Sequence, residues 1–343
     1  MSPSRLDQLK RDLDVIAPRT AASPRGDPRQ DRGRTASEPQ QIPMPGWKDI
    51  LVRSWKEVSE NNIFLVSGGV TYAVLLALFP ALAALVSIYG LLFDPAQVER
   101  QVASLSSILP QESTQMIGDE LHNLVTAPHG SLSIGAAVAL LLALWSASRG
   151  MSGLITAFNI AYEQKETRGF FKFNLIAIGL TVLMLVGGTV IIALVGVLPA
   201  AIQFVGLTSS AKWLLLVLEW PLLIVVVTVG LAVLYRFAPN RQIPRWQWVS
   251  PGAIVATILW LLGSLAFTVY VSHFNSYDKT YGSLGGVVVM LTWLYLSAFV
   301  TLFGAVINAQ AELQTKADST AGPAKPMGAR RAHAADNVGE ATS

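Results

Sequence analysis

The stretch "LWSASRGMSGL", residues 144–154, places Arg149 in an apolar run with small residues on both sides. A guanidinium stays charged at any physiological pH and presents five donors in a planar fork, which suits it to carboxylate or phosphate. At the centre of a bilayer it costs ~2.5–3.5 kcal/mol on insertion scales, and less where the side chain reaches the headgroups. Two uses fit this setting. Arg149 is either a helix-end anchor beside headgroups or an inward-facing anion site, with Asn159, Tyr162, Glu163 and the later Tyr235 as neighbours. Glu219 in "LEWPLL" and Tyr281 in "TYGSLGG" are polar candidates for the opposite side of the membrane. Arg149 and Glu219 fall at different depths, which argues against an ion pair. Two such positions suit a translocation path and equally suit two separate anchors.

Other chemistries find little support. Cysteine is absent, so no disulfide, thiolate metal site or cysteine nucleophile is available. No two of His122, His129, His273 and His333 stand at the i, i+4 spacing of helical zinc ligands. Neither a phosphate-cradling "GxxxxGK" loop nor a "GxSxG" elbow occurs. The expectation is a non-enzyme with no catalytic residues, no metal and no cofactor.

The elements that must hold these residues follow from hydropathy. The chain has 343 residues, 52% hydrophobic and 14% charged, against roughly 25% charged in soluble domains. Its apolar residues come in blocks of about 20, the length that spans ~30 Å of hydrocarbon. The fold class is all-α: a polytopic bundle of six transmembrane helices in a domain over 46–312. The spans are expected at about 63–93, 131–151 (continuing as helix to 162), 174–199, 213–235, 249–272 and 284–308. The loop 94–130 carries apolar stripes at Val98, Val102, Leu105 and Leu109, then Met116, Ile117, Leu121 and Leu124. That pattern predicts two short amphipathic helices covering the outer face. Residues 1–45 and 313–343 lack apolar periodicity and are expected to be disordered tails.

Lys and Arg set the orientation. Of the 25, all but Arg100, Arg149, Lys212 and Lys279 fall before span one, after span six or in the loops after spans two and four. Both termini are therefore expected in the cytoplasm. The basic balance reads as topology, so no nucleic-acid partner is expected. Trp213 and Trp220 are placed at the outer boundary and Trp246 and Trp248 at the inner one. "GWKDILVRSWKEV" reads as an amphipathic helix on the inner leaflet.

Small residues mark candidate helix contacts: Gly68 and Gly69, "GMSG" at 150–153, and Gly282, Gly285 and Gly286. The first span is too long for one straight crossing, so Pro80 is expected to mark a kink.

Four stretches carry a resemblance. They are "GGVTYAVLLALFPALAAL", "LWSASRGMSGLITAFNIAYEQKETRGFFK", "RFAPNRQIPRWQWVSPGAIVATILWLLGSLAFTVYV" and "YDKTYGSLGGVVVMLTWLYLSAFVTLFGAVINA". Together, over about 45–312, the chain resembles the YihY/virulence factor BrkB family. The resemblance implies a bacterial inner (plasma) membrane protein with about six spans. It also implies that the older family label ribonuclease BN is a misassignment. Export or flipping of lipid or other amphiphile is the function it points to, with membrane lipids as partners and an anionic amphiphile as substrate. The competing reading is a non-transporting scaffold or envelope factor. Oligomeric state is not legible. One departure is visible: many relatives have glutamate where this chain has Val306, so no carboxylate role carries over there.

Overall fold

The computed structural model of the chain describes residues 32–92, 134–194, 209–273 and 283–341. Among them a short 3-10 turn, Pro39–Gln41, precedes α1 Met44–Glu60, α2 Ile63–Leu92, α3 Ile134–Ala161 and α4 Phe170–Ile192. Then come α5 Ser209–Phe237, α6 Trp246–His273, α7 Ser283–Glu312 and the single turn α8 His333–Asp336. Apart from these helices, one isolated bridge joins Pro244 and Thr320. The protein is an all-α polytopic membrane protein. Ile63–Leu82, Phe170–Ile192, Leu218–Phe237, Trp246–Val271 and Gly285–Glu312 are each long and apolar enough to cross a membrane. The helix expected as the second crossing, α3, is not among these five. Over its full 28 residues α3 is nearly as apolar as α5 and α6. Tyr281, Gly282 and the loop 94–130 lie outside the described residues.

α1 is amphipathic as its spacing predicts. Gly46, Asp49, Ile50, Ser54 and Val58 are its buried positions, and it packs on α7. Met44, Leu51, Val52 and Trp55 remain exposed, which suits a helix lying along an interface. Trp248 is fully buried in a cluster with Ile50 and Ile307, while Trp246 is exposed. Pro80 lies inside α2, which continues through it as one helix.

Helix contacts run through some of the expected small residues and not others. A Cβ added at Gly150 would stand 2.7 Å from Ala77 Cβ, and one at Gly153 2.9 Å from Ala73 Cβ. Only glycine lets α3 approach α2 this closely. α6 and α7 meet where a Cβ on Gly252 would strike the Gly304 carbonyl and the Asn308 amide. Gly68, Gly69 and Gly286, in contrast, have nothing within 4 Å of an added Cβ, which corrects the packing role read for them. Rotation of the helix is the reason. The inward side of α2 is formed by Ser67, Val70 and Thr71, and Gly68 and Gly69 fall between them. Gly285 is buried. Val306 is fully buried in the core with Phe158, Tyr235 and Leu302.

The chain after α7 also departs from expectation. Residues 313–341 are not a loose tail but a strap packed over the helix ends, with Thr315, Asp318, Ser319, Thr320 and Arg330 buried. The described part of the N-terminal region, from Arg32 onward, packs with it. Apolar periodicity cannot show this, because polar side chains bonded to backbone supply the order. Arg330 donates to the carbonyls of Lys316 at 2.9 Å, Ala317 at 3.1 Å, Lys325 at 3.0 Å and Ala335 at 2.6 Å. Arg34 Nη2 donates to Gly339 O at 2.6 Å and Arg53 Nη1 to Glu340 O at 2.8 Å.

Candidate functional site

At one end of the bundle the turns 162–169 and 238–245 meet the strap around an open cavity of about 520 Å3. Lys165, Thr167, Asn240, Arg331 and His333 are on its wall, and no carboxylate is. A cavity lined this way favours an anion.

Local structure explains how the wall is held. α3 ends as the Glu163 and Gln164 amides donate back to Ile160 O and Asn159 O. Glu163 then takes a left-handed conformation, φ 50°, and Arg331 across the rim does the same at φ 56°. Non-glycine residues hold this conformation only where their surroundings fix it. His333 Nδ1 stands 3.7 Å from Glu163 Oε2 and is paired with it when protonated. Asn159 joins two turns: its Oδ1 accepts from the Asn240 amide at 2.7 Å and its Nδ2 donates to Glu166 Oε2 at 2.8 Å. Asn240 Nδ2 in turn donates to Lys165 O at 2.7 Å and Thr167 Oγ1 at 2.8 Å. Partial burial alone would raise the Glu166 carboxyl. Hydrogen bonds from Arg168 and Asn159 outweigh it and hold the group below the usual range.

Behind the wall lies a buried ion pair. Arg241 donates to Glu312 through Nη1 at 2.8 Å and Nη2 at 2.5 Å, with both side chains fully buried. Ser319 Oγ, from the strap, donates to the same carboxylate. Burial disfavours the Arg241 charge, but Glu312 more than compensates and raises its pKa above the ordinary guanidinium value. The guanidinium sits 5.1 Å over the Tyr162 ring. The Tyr162 hydroxyl is buried beside the Asn308 amide without meeting the geometry of a hydrogen bond.

From this pair a polar seam descends along one face of α7. Ser297, Thr301, Gly304, Asn308 and Glu312 recur every three or four residues, the spacing of one helix face. Asn308 Oδ1 accepts from the Gly252 amide at 2.7 Å and its Nδ2 donates to Val249 O at 3.1 Å. Tyr235 Oη donates to Thr301 O at 2.8 Å, and Trp260 Nε1 to Ser297 Oγ at 3.0 Å. The stretch 297–312 covers about 22 Å at the α-helical rise.

Of the residues singled out from sequence, Asn159, Tyr162, Glu163 and Tyr235 gather at or beneath this cavity. Arg149 does not join them. It is exposed on the side of α3 that also carries Leu142, Ser146, Thr156 and Ile160. Its guanidinium lies 5.0 Å over the Trp145 ring. The inward reading of Arg149 is therefore corrected: the small neighbour Gly150 faces α2, and the turn of the helix carries Arg149 away. Glu219 is buried within α5, 16 residues and about 24 Å along the helix from Tyr235. Sequence reasoning did not single out Lys165, Arg241, Arg331 and His333, and noted Asn308 and Glu312 only in passing. The spacing on span six was a readable signal for the seam. Nothing local marks the strap residues. Among the described residues no three of His, Cys, Asp and Glu form a group that could hold a metal ion.

Comparison with known proteins agrees with the architecture. The chain is 32% identical over 252 residues to "Putative ribonuclease-like protein YfkH" of Bacillus subtilis, covering 71% of this chain and 88% of that one. It is 25% identical over 265 residues to "UPF0761 membrane protein IL2447" of Idiomarina loihiensis, covering 74% and 87%. A "UPF0761 membrane protein" of Actinobacillus pleuropneumoniae is 27% identical over 271 residues, covering 78% and 94%. No solved structure matches. Residues 54–328 match the family described as Virulence factor BrkB, a region that runs past α7 into the strap. With most of its length matched, this chain belongs to the virulence factor BrkB family.

Proposed function

We propose that this protein translocates a lipid or other amphiphile carrying an anionic group across a bacterial inner membrane. In this reading both termini and the cavity face the cytoplasm, as the distribution of Lys and Arg favours. Six crossings, with α3 as the second, complete the topology. Lys165, Arg331 and His333 receive the anionic group. Asn159, Tyr162, Glu163 and Tyr235 shape the site around it, and Glu219 belongs to the far end of the path.

One observation carries the reading: a cavity with Lys165 and Arg331 on its wall stands over a polar seam that runs into the helices. Polar groups inside a membrane bundle are expensive and gather along pathways. The seam on α7 extends about 22 Å, a large part of the hydrocarbon thickness. The word "ribonuclease-like" is printed for the Bacillus relative. Phosphodiester cleavage by metal ions needs clustered oxygen or nitrogen ligands, and the proposal assigns no such chemistry here.

The purified chain in liposomes should speed transfer of a labelled anionic phospholipid between leaflets. Lys165→Ala combined with Arg331→Ala should slow it about tenfold, on the scale of a lost charge-assisted contact. Transfer no faster than in empty liposomes would sink the translocator. The scaffold reading has its own support, since most polar groups of the seam are already paired within the protein. It predicts no transfer, together with loss of the cellular role when the strap alone is altered.

A further inference from the structure

Arg149 has a use that does not depend on translocation. Its guanidinium is exposed and makes no hydrogen bond or ion pair among the described residues, its one interaction being the Trp145 ring at 5.0 Å. The Trp145 ring lies 6.4 Å from Phe170, which packs edge-on to Phe171 at 5.6 Å. Around them Leu142 and Leu175 are exposed as well. An unpaired cation thus stands in an aromatic and aliphatic surface that water does not favour.

Depth follows from α4. Phe170 opens this 23-residue apolar helix, which is about 34 Å long at the α-helical rise. A helix of that length fills the hydrocarbon core, so its first residue lies at a boundary. Trp145 contacts Phe170, and Arg149 follows one turn closer to the end of α3. The guanidinium is therefore at headgroup level, not among acyl chain ends. Turning inward is closed to it, because the neighbouring Gly150 is in contact with Ala77 of α2.

We infer that Arg149, with Trp145 and Phe170, binds the phosphate of an anionic phospholipid from the surrounding leaflet, acyl chains lying along α3 and α4. The charge calls for an anion and the rings and leucines call for hydrocarbon. A phospholipid supplies both in one molecule, whereas free phosphate would leave the apolar surface bare. The stacked ring holds the fork in place and so lowers the ordering cost of the contact.

The test is lipid retention by the full chain in mild detergent, read by native mass spectrometry with phosphatidylglycerol and phosphatidylcholine of equal chain length. The wild-type chain should retain phosphatidylglycerol in preference, and Arg149→Gln should weaken that retention about tenfold. Arg149→Lys should fall between, keeping charge but losing the planar fork. Trp145→Leu provides a second variant should Arg149→Gln fold poorly, and it too should lower retention. Lys316→Gln, which removes an exposed cation of the strap, should leave retention unchanged, which separates this site from a general effect of surface charge. Equal retention by Arg149→Gln, displacement by millimolar inorganic phosphate, or an equal loss of retention in Lys316→Gln would each overturn the inference.

Discussion

Arg241 and Glu312 show what a buried charge demands of its neighbours. Two ions taken wholly out of water give back little net stability as a pair, yet removing one leaves the other uncompensated. Glu312→Gln is therefore expected to destabilise the protein by about 3–5 kcal/mol. The measurement is the unfolding transition in detergent. Replacing both partners, Arg241→Met with Glu312→Leu, should recover most of that loss. If the single and double variants melt alike, the pair is not the source of the effect. Asn159 operates differently, accepting from the Asn240 amide and donating to the Glu166 carboxylate. Asn159→Ala should cost about 0.5–1.5 kcal/mol, the net value of such bonds to partners that are exposed or only partly buried, and should loosen the cavity wall without unfolding the bundle. At this scale the sequence was readable in part. The side chains of Asn159, Tyr162 and Tyr235 were recognisable as polar groups near one membrane face. The direction in which Arg149 points was not, because a residue's depth is counted along the chain while its facing depends on which neighbour the helix packs against.

The strap behaves as an element although it has almost no regular structure. Arg330 stands in for a sheet or helix by collecting four carbonyls, and Asp318 accepts from the amides of Thr320 and Lys325 at 2.9 and 2.8 Å. Arg330→Gln should release residues 313–341 to protease while the helices keep their circular dichroism. Acid should act in the same direction. Burial would raise the Asp318 carboxyl, but its hydrogen bonds prevail and lower it below the ordinary value. A carboxylate whose folded pKa is depressed contributes stability that is complete above its unfolded value, ~3.9 for Asp. That contribution fades as pH falls toward the folded value. Limited proteolysis should therefore find the strap closed at pH 6 and opening below about 4. The long helices could be read from sequence because lipid enforces a continuous apolar run. The strap could not, since its alanines bury little area and its order comes from pairings between Arg330 and distant carbonyls. The same limit applies to Gly68 and Gly69, whose spacing suits close packing while the rotation of α2 leaves them open.

For the molecule as a whole, the described N-terminal segment and the strap occupy one end of the bundle together. A chain without cysteine allows a direct check of sidedness. Ser37→Cys and Ala324→Cys should react with an impermeant maleimide from the same side of sealed vesicles, the cytoplasmic one. Labelling from opposite sides would contradict an even number of crossings. The junction of the two segments has a further consequence through Arg53. Its guanidinium donates to Gln310 Oε1 at 2.9 Å, Gln314 Oε1 at 2.6 Å and the carbonyls of Gln310 and Glu340, and burial with nearby Arg34 lowers its pKa to about 10. Every one of those acceptors is made more than 250 residues after the arginine itself. Helices can enter the bilayer one by one during synthesis, but this clasp waits until residues 310–340 have been made. A ribosome stalled before residue 310 would hold helices whose Arg53 has none of these acceptors yet made.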